Sequence, residues 1–213
     1  MREGFVSAIR SHQQAFGLDL AHDVIERLAD YYELVEEHNP ILHLVGPCSP
    51  EEFATRHVLE SLTMLEFLPL AARFADIGAG AGLPSIPCLL ARDDLSAVLI
   101  ESKEKKAGFL QRVVAKCKLS DRAEIINRQF SEVKPSNFSY VACRALDKFT
   151  GKLPQLLKWS GDRTLLFFGG SALGAEMKKQ GYDVEARLMP LSEQRFLFHC
   201  RDRQRGTIKP RLL

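Results

Sequence analysis

Along the first seventy residues the apolar positions recur at helical spacing. From Asp23 onward, Ile25, Leu28, Ala29, Tyr32 and Val35 recur at helical spacing and form one stripe, and Asn39–Pro40 is predicted to end that helix. A second helix is predicted to open at Ser49–Pro50–Glu51–Glu52. Ser49 suits the N-cap, Pro50 the first turn, and the two carboxylates the positive end of the helix dipole. It runs through Arg56–His57–Val58–Leu59–Glu60 to about Phe67, and Pro69 closes it.

After Pro69 the pattern changes to short apolar runs separated by helix-length segments. Strands are predicted at 72–78, 96–101, 123–127, 139–143 and 164–168, with helices near 84–92, 103–118, 147–158 and 171–180 between or after them. Within 103–118 the residues Phe109, Leu110, Val113, Val114 and Cys117 form the inward stripe. Such alternation means right-handed βαβ units and a mostly parallel, doubly wound sheet. Two last runs, near 183–189 and 195–200, have no helix between them, so they are predicted to pair antiparallel and add an antiparallel C-terminal strand. The organisation is an N-terminal helical extension (1–70) and an α/β core (71–213). The length of 213 residues agrees with one domain and an appendage, at about 150 residues per domain.

Composition narrows the class. Apolar residues make up 46% and charged residues 26%, which excludes a disordered tail protein, a collagenous repeat and a disulfide-dense mini-domain. No apolar run approaches the roughly 18 residues of a membrane span. The opening MREGFVSAIRSHQQAF carries charges where a secretory signal needs an apolar run, so the protein is expected to be cytoplasmic, with no membrane partner. The five cysteines (Cys48, Cys88, Cys117, Cys143, Cys200) show neither CxxC spacing nor a disulfide framework, and the last four are expected as buried free thiols. The six histidines form no ligand spacing, so no metal site is expected. Net charge is +2, but residues 195–213 carry Arg195, Arg201, Arg203, Arg205, Lys209 and Arg211 against Asp202 alone. A basic end on a near-neutral chain is either a handle for a polyanion or a solvated tail.

The chemistry concentrates at residues 76–82, Asp-Ile-Gly-Ala-Gly-Ala-Gly. Three alternate glycines directly after an apolar strand allow a sharp turn and a close ligand approach, at the strand ends where nucleotides bind in open sheets. The third glycine comes one residue too early for the dinucleotide pattern GxGxxG, and no GK[ST] follows to make a P-loop. Pro84 and Pro87 crowd the helix start that would hold a pyrophosphate, and the Asp76 carboxylate would repel one. A ligand with an amino group and a positive charge but no phosphate suits the turn better, and S-adenosylmethionine has that chemistry. Glu101, at the end of the second strand and 19 residues beyond Gly82, is placed to accept hydrogen bonds from ribose hydroxyls.

FADIGAGAGLPSIP (74–87), with RHVLES (56–61) before it and LIESKEKKAGFL (99–110) after it, resembles the bacterial glucose-inhibited division protein B family, the 16S ribosomal RNA guanine 7-nitrogen methyltransferases. The likeness runs from NPILHLV (39–45) to about Gly170. It implies a Rossmann-like class I methyltransferase core, S-adenosylmethionine as methyl donor, and 16S ribosomal RNA or the small ribosomal subunit as partner, with the enzyme expected to be a monomer. The cofactor residues it implies, together with those read from the turn, are Asp76, Gly78, Gly80, Gly82, Leu83, Glu101, Ser102, Phe130, Ser131 and Arg144. On the acceptor side it implies Arg56, His57 and Arg144. Family members usually have proline at the position of Ala81, glycine at Ser85, aspartate at Ser139 and a lysine near Gly169.

Guanine N7 carries a lone pair and no proton, so methyl transfer to it needs alignment at about 3 Å and no general base. No catalytic acid–base residue is therefore expected. Lys103, Lys105 and Lys106 fit either RNA phosphates or a solvated helix face. A small-molecule methyltransferase and a catalytically weak cofactor-binding module on the ribosome remain as competing expectations. A nicotinamide dehydrogenase is disfavoured by the glycine spacing and Asp76.

Overall fold

The computed structural model describes residues 1–144 and 149–202. Helices Arg2–His12 and His22–Leu42, and a continuous helical segment over 50–67, precede the sheet. The strands are β1 Arg73–Ile77, β2 Ser96–Ile100, β3 Ala123–Ile126, β4 Tyr140–Arg144, β5 Thr164–Gly169, β6 Tyr182–Leu188 and β7 Phe196–Asp202. Helices Ser85–Ala91, Glu104–Lys116, Phe149–Ser160 and Ser171–Lys179 lie between them. The seven strands run in the order β3-β2-β1-β4-β5-β7-β6. β1 to β5 are parallel, whereas β7 runs antiparallel to both β5 and β6. The hairpin thus inserts its second strand next to β5 and leaves β6 at the edge, where Asp183, Glu185 and Arg187 deter pairing with another chain.

Strands covered on both faces must be apolar throughout, and alternate residues serve opposite layers. Phe74, Ala97, Leu99, Ala142 and Leu166 face one hydrophobic cluster, while Ala75, Val98, Ile100, Val141 and Leu165 face the other. The first cluster also takes in Phe5, Ile9, Leu28, Tyr32, Phe53 and Leu62, so the N-terminal helices share a core with the sheet. The Phe5 ring stacks on Tyr32 at 4.7 Å, and Phe53 closes on Tyr32 at 5.0 Å. Among the described residues no helix is long and apolar enough to cross a membrane, and no group of three or more His, Cys, Asp or Glu is placed to hold a metal ion.

Four local expectations are refined. The helix expected to stop at Asn39–Pro40 continues to Leu42, and ends where His43 takes a left-handed conformation (φ 48°). Pro40 removes the N–H that would bond the Glu36 carbonyl, yet the helix runs two residues further and is closed by His43 N–H donating to the Asn39 carbonyl at 2.9 Å. The segment starting at Ser49 has a full capping box, with Ser49 Oγ accepting from Glu52 N–H and Glu52 Oε2 from Ser49 N–H. Its middle, Phe53–Leu59, is π-helical, which periodicity alone did not reveal. Cys117 is half-buried at the end of its helix, whereas Cys88, Cys143 and Cys200 are buried; all are free thiols. Finally, Arg195 does not belong to a solvated tail, since it is held by a buried carboxylate, while Arg203, Arg205, Lys209 and Arg211 lie outside the described residues.

Candidate functional site

The strand order reverses between β1 and β4, and the loops leaving neighbouring parallel strands diverge there to open a crevice. A cavity of about 340 Å³ lies at the carboxyl ends of β1, β2 and β4. Its floor is the glycine turn after β1, contributing Gly78, Ala79, Gly80, Ala81 and Leu83. Gly78, Gly80 and Gly82 all have positive φ (72°, 52° and 93°). At Gly82 the requirement is also steric, since a Cβ there would stand 2.5 Å from Ile86 Cγ1. The turn is hydrogen-bonded to the end of β2: Gly78 N–H donates to the Ile100 carbonyl at 2.8 Å, and Gly80 N–H to Glu101 Oε2 at 3.0 Å.

Glu101 is buried, and its other oxygen accepts from Lys103 N–H at 2.7 Å. Its main-chain carbonyl accepts from the Asn127 side chain at 2.8 Å. An ionised carboxylate has about four acceptor sites, so two remain for hydroxyls of a ligand in the cavity. Ser102 and Lys103 line the same wall.

The opposite wall comes from the extension. Leu44, Val45 and Gly46 line the cavity. The Asn39 side chain holds them by accepting from Leu44 and Val45 N–H at 2.8 and 3.0 Å, and Lys106 Nζ donates to the His43 carbonyl at 3.0 Å. Lys106 is therefore tied to this segment and is not a freely solvated cation; burial lowers its pKa. From below, Tyr31 Oη donates to the Ala81 carbonyl at 2.9 Å, fixing the glycine turn to the helix His22–Leu42.

His57 and Arg144 complete the lining, with Lys152. His57 lies in the π-helical stretch with its ring 5.3 Å from Phe53, and its Nδ1 has no partner among the described residues. Burial, and then the charges of Arg144, Arg56 and Arg195, lower its pKa to about 4, so at neutral pH the imidazole is uncharged. Arg144 ends β4. Its Nη2 donates to the Arg56 carbonyl and, at 3.0 Å, to Glu60 Oε2, and its guanidinium lies 5.2 Å over the Phe168 ring. Arg144 Nη1 is buried with no partner among the described residues.

The structure thus brings together Gly78, Gly80, Leu83, Glu101, Ser102, His57 and Arg144 around one cavity. Asp76, Gly82, Phe130, Ser131 and Arg56 do not line it. Asp76 is fully buried behind the turn, where its Oδ2 accepts from Ser85 Oγ at 2.5 Å and its Oδ1 has no partner among the described residues. Burial raises its pKa to about 7, a rise that the Ser85 hydrogen bonds oppose. Its carboxylate thus does not reach the cavity lining. Phe130 packs edge-on against Trp159 at 5.9 Å in the core of the other sheet face, and Ser131 beside it is exposed. Arg56 is half-exposed and pairs with Glu52, offering the site its carbonyl instead of its guanidinium.

Sequence reasoning did not assign Tyr31, Asn39, Asn127 or Lys152 to the site, nor the Glu60 carboxylate on which Arg144 rests. For Glu60 the sequence offered no periodic signal: the residues three and four positions away, which share its helical face, are Arg56, His57, Thr63 and Met64.

Comparison with known proteins gives the same fold and narrows the family. N,N-8-amino-8-demethyl-D-riboflavin dimethyltransferase from Streptomyces davawensis superposes with a TM-score of 0.58 at 17% identity, over 88% of this chain and 68% of that one. M. jannaschii TYW2, solved in complex with AdoMet, gives a TM-score of 0.53 at 16% identity, over 68% of this chain and 74% of that one. At such identities the likeness is one of fold, that of Rossmann-like methyltransferases. Among curated proteins, ribosomal RNA small subunit methyltransferase G of Nitrosomonas eutropha is 39% identical over 119 residues, 56% of this chain and 54% of that protein. The protein of the same name from Sorangium cellulosum is 36% identical over 158 residues, 71% of this chain and 64% of its own. The chain therefore spans between about half and two thirds of the length of these relatives. The family model for GidB, rRNA small subunit methyltransferase G, matches residues 24–196, from the second helix to the start of β7. With that span covering most of the sequence, the chain belongs to the GidB family, described as rRNA small subunit methyltransferase G.

Proposed function

We propose that this protein transfers a methyl group from S-adenosylmethionine to the 7-nitrogen of a guanine in 16S ribosomal RNA of the small ribosomal subunit. The observation that carries the proposal is the cavity at the β1–β4 reversal. There a positive-φ glycine turn faces a buried carboxylate with acceptor sites to spare, and Arg144 and His57 stand at the other side. The residues suit such a cofactor: Glu101 accepts from ribose hydroxyls, and Gly80, where a Cβ would meet nothing closer than the Gly78 carbonyl at 3.6 Å, leaves room for the ligand. Among the described residues that line the cavity, none forms a phosphate cradle comparable to a P-loop.

When bound, S-adenosylmethionine supplies an electrophilic methyl on a sulfonium. The protein's task is alignment. Gly78, Gly80 and Leu83 form the floor, Glu101 and Ser102 the ribose wall, and Leu44–Gly46 restrict water from the outer side. Arg144 donates to the guanine O6, the acceptor adjacent to N7, so the lone pair of N7 points along the line of displacement. No proton leaves N7, which is why the site works without a general base. The base gains positive charge as the methyl arrives, and an uncharged His57 beside Arg144 avoids adding a second cation to that region. The cations at the rim (Lys103, Lys152) hold RNA phosphates without selecting the base. In this reading the protein works as a monomer in the cytoplasm, where ribosomal subunits are assembled.

The test is transfer of radiolabelled methyl from S-adenosylmethionine to unmethylated small subunits and to naked 16S RNA, followed by chain scission specific for 7-methylguanine. One strong stop is the expected result. Confirmed cofactor binding with no label in either substrate would overturn the proposal.

A further inference from the structure

The carboxylate on which Arg144 rests has a second partner, and the three groups join parts of the chain distant in sequence. Glu60, only 2% exposed, sits on the helical segment 50–67. Its Oε2 accepts from Arg144 Nη2 at 3.0 Å and its Oε1 from Arg195 Nε at 2.8 Å. Arg144 closes β4, and Arg195 immediately precedes β7, where Met189 N–H donates to its carbonyl at 2.8 Å and its own N–H donates to Ser192 Oγ at 3.1 Å. One carboxylate thus ties together the extension, the parallel sheet and the C-terminal hairpin.

Of the three side chains only Arg144 lines the cavity. An arginine is a long, freely rotating side chain, and here each degree of freedom is taken up. The guanidinium lies over Phe168, and Nη2 is shared between Glu60 and the Arg56 carbonyl. Nη1 is left without a partner among the described residues. Without the Glu60 charge, the buried Arg144 guanidinium would lose its counter-ion while facing the partly exposed Arg195, and it would be driven toward water on the cavity side. Replacing a buried ionic triad by well-packed apolar residues is often neutral for stability, so holding the fold together is not the distinctive consequence of this one. Fixing the direction of Arg144 is.

We propose that Glu60 is the positioning residue for Arg144: it orients the guanidinium toward the acceptor base, so that the helical extension sets where the guanine is held. The inference rests on the assignment of Arg144 to the acceptor side made above. Arg195 balances the second oxygen of Glu60 and draws the β6–β7 hairpin into the same arrangement.

The experiment uses the full chain with Glu60→Gln, Glu60→Asp and the double variant Glu60→Gln/Arg195→Gln. Three quantities are measured: S-adenosylmethionine affinity by calorimetry, kcat and KM on unmethylated small subunits, and the rotation of the Arg144 guanidinium by ¹⁵N NMR. For Glu60→Gln we expect affinity for the cofactor within about twofold, kcat at least tenfold lower, and faster Arg144 rotation. Glu60→Asp should recover part of kcat. The double variant, which removes one of the two uncompensated charges, should also recover part of it and keeps the idea testable if the single variant fails to fold. Wild-type kcat with restricted rotation in Glu60→Gln would overturn the proposal. So would a loss of cofactor affinity and melting temperature in step with kcat, which would make Glu60 merely structural. Should wild-type protein methylate no RNA, the functional reading fails, while the Arg144 rotation still decides whether Glu60 holds it.

Discussion

The Ser85 hydroxyl faces a carboxylate that has no access to water, and its removal gives a pH-dependent prediction. Asp76 is 0% exposed, and its Oδ2 accepts from Ser85 Oγ at 2.5 Å. Burial pushes its pKa to about 7, from an ordinary value of 3.8. The folded protein therefore retains a proton on Asp76 between about pH 4 and pH 7 that the unfolded chain gives up. The contribution of this group to stability is greatest at low pH, falls as pH rises through that window, and is flat above it. In Ser85→Ala the ionised carboxylate loses a charge-assisted bond worth about 1.5–3 kcal/mol, whereas the protonated carboxyl loses a neutral bond worth about 1 kcal/mol. The variant should thus be destabilised by about 1 kcal/mol near pH 5 and by about 2–3 kcal/mol near pH 9, with the decline in stability extending above neutrality. Urea denaturation across that range measures the difference, and a ¹³C titration of the Asp76 carboxyl locates its midpoint. Equal destabilisation at both ends, or a wild-type midpoint near that of an ordinary aspartate, would refute the reasoning.

Other consequences are as direct. Gly82→Ala places a Cβ 2.5 Å from Ile86 Cγ1 at φ 93°, so strain and overpacking together should cost about 2–5 kcal/mol in a urea melt. Tyr31→Phe leaves the buried Ala81 carbonyl without its donor, which should cost about 1–3 kcal/mol and weaken S-adenosylmethionine binding measured by calorimetry. His57 has a folded pKa lowered to about 4 from 6.5, so the stability due to its neutral form is complete above about pH 6.5 and is lost as pH falls to about 4, by at most about 3 kcal/mol. His57→Leu should flatten that acid limb in denaturation series, and an unchanged limb would assign it to other groups.

The positions where this chain departs from the family pattern acquire separate physical meanings. Ser85 supplies the hydroxyl that Asp76 uses. Ser139 precedes β4 at the end of the sheet opposite the cavity, where its N–H donates to the Arg73 carbonyl and its own carbonyl accepts from Thr164 N–H. That exchange is remote from the site. At Gly169 a Cβ would stand 2.6 Å from Leu173 Cδ2, so a lysine there would require the Leu173 side chain to turn aside.

What the sequence determined by itself is the part governed by local rules. The helical period around Leu28 and Tyr32, the N-cap at Ser49, the apolar runs of the five parallel strands and the glycine turn at 78–82 are each written within a few residues, because they depend on side-chain alternation, on capping and on φ. The line of Gly78, Gly80 and Glu101 was legible for the same reason: both segments follow strands whose ends must meet at a switch point. Tertiary structure alone decided which polar groups those segments serve. Asp76 and Phe130 were expected beside a ligand, but one lies behind the turn and the other packs on Trp159. Their environments depend on helices packed from elsewhere in the chain. Tyr31 beneath Ala81, Asn39 holding the segment above the cavity, and Glu60 between Arg144 and Arg195 span 50, 5, 84 and 135 residues of sequence for their bonds. The longer of these partnerships have no periodicity to betray them, since a buried charge finds its counter-ion wherever the fold brings one near.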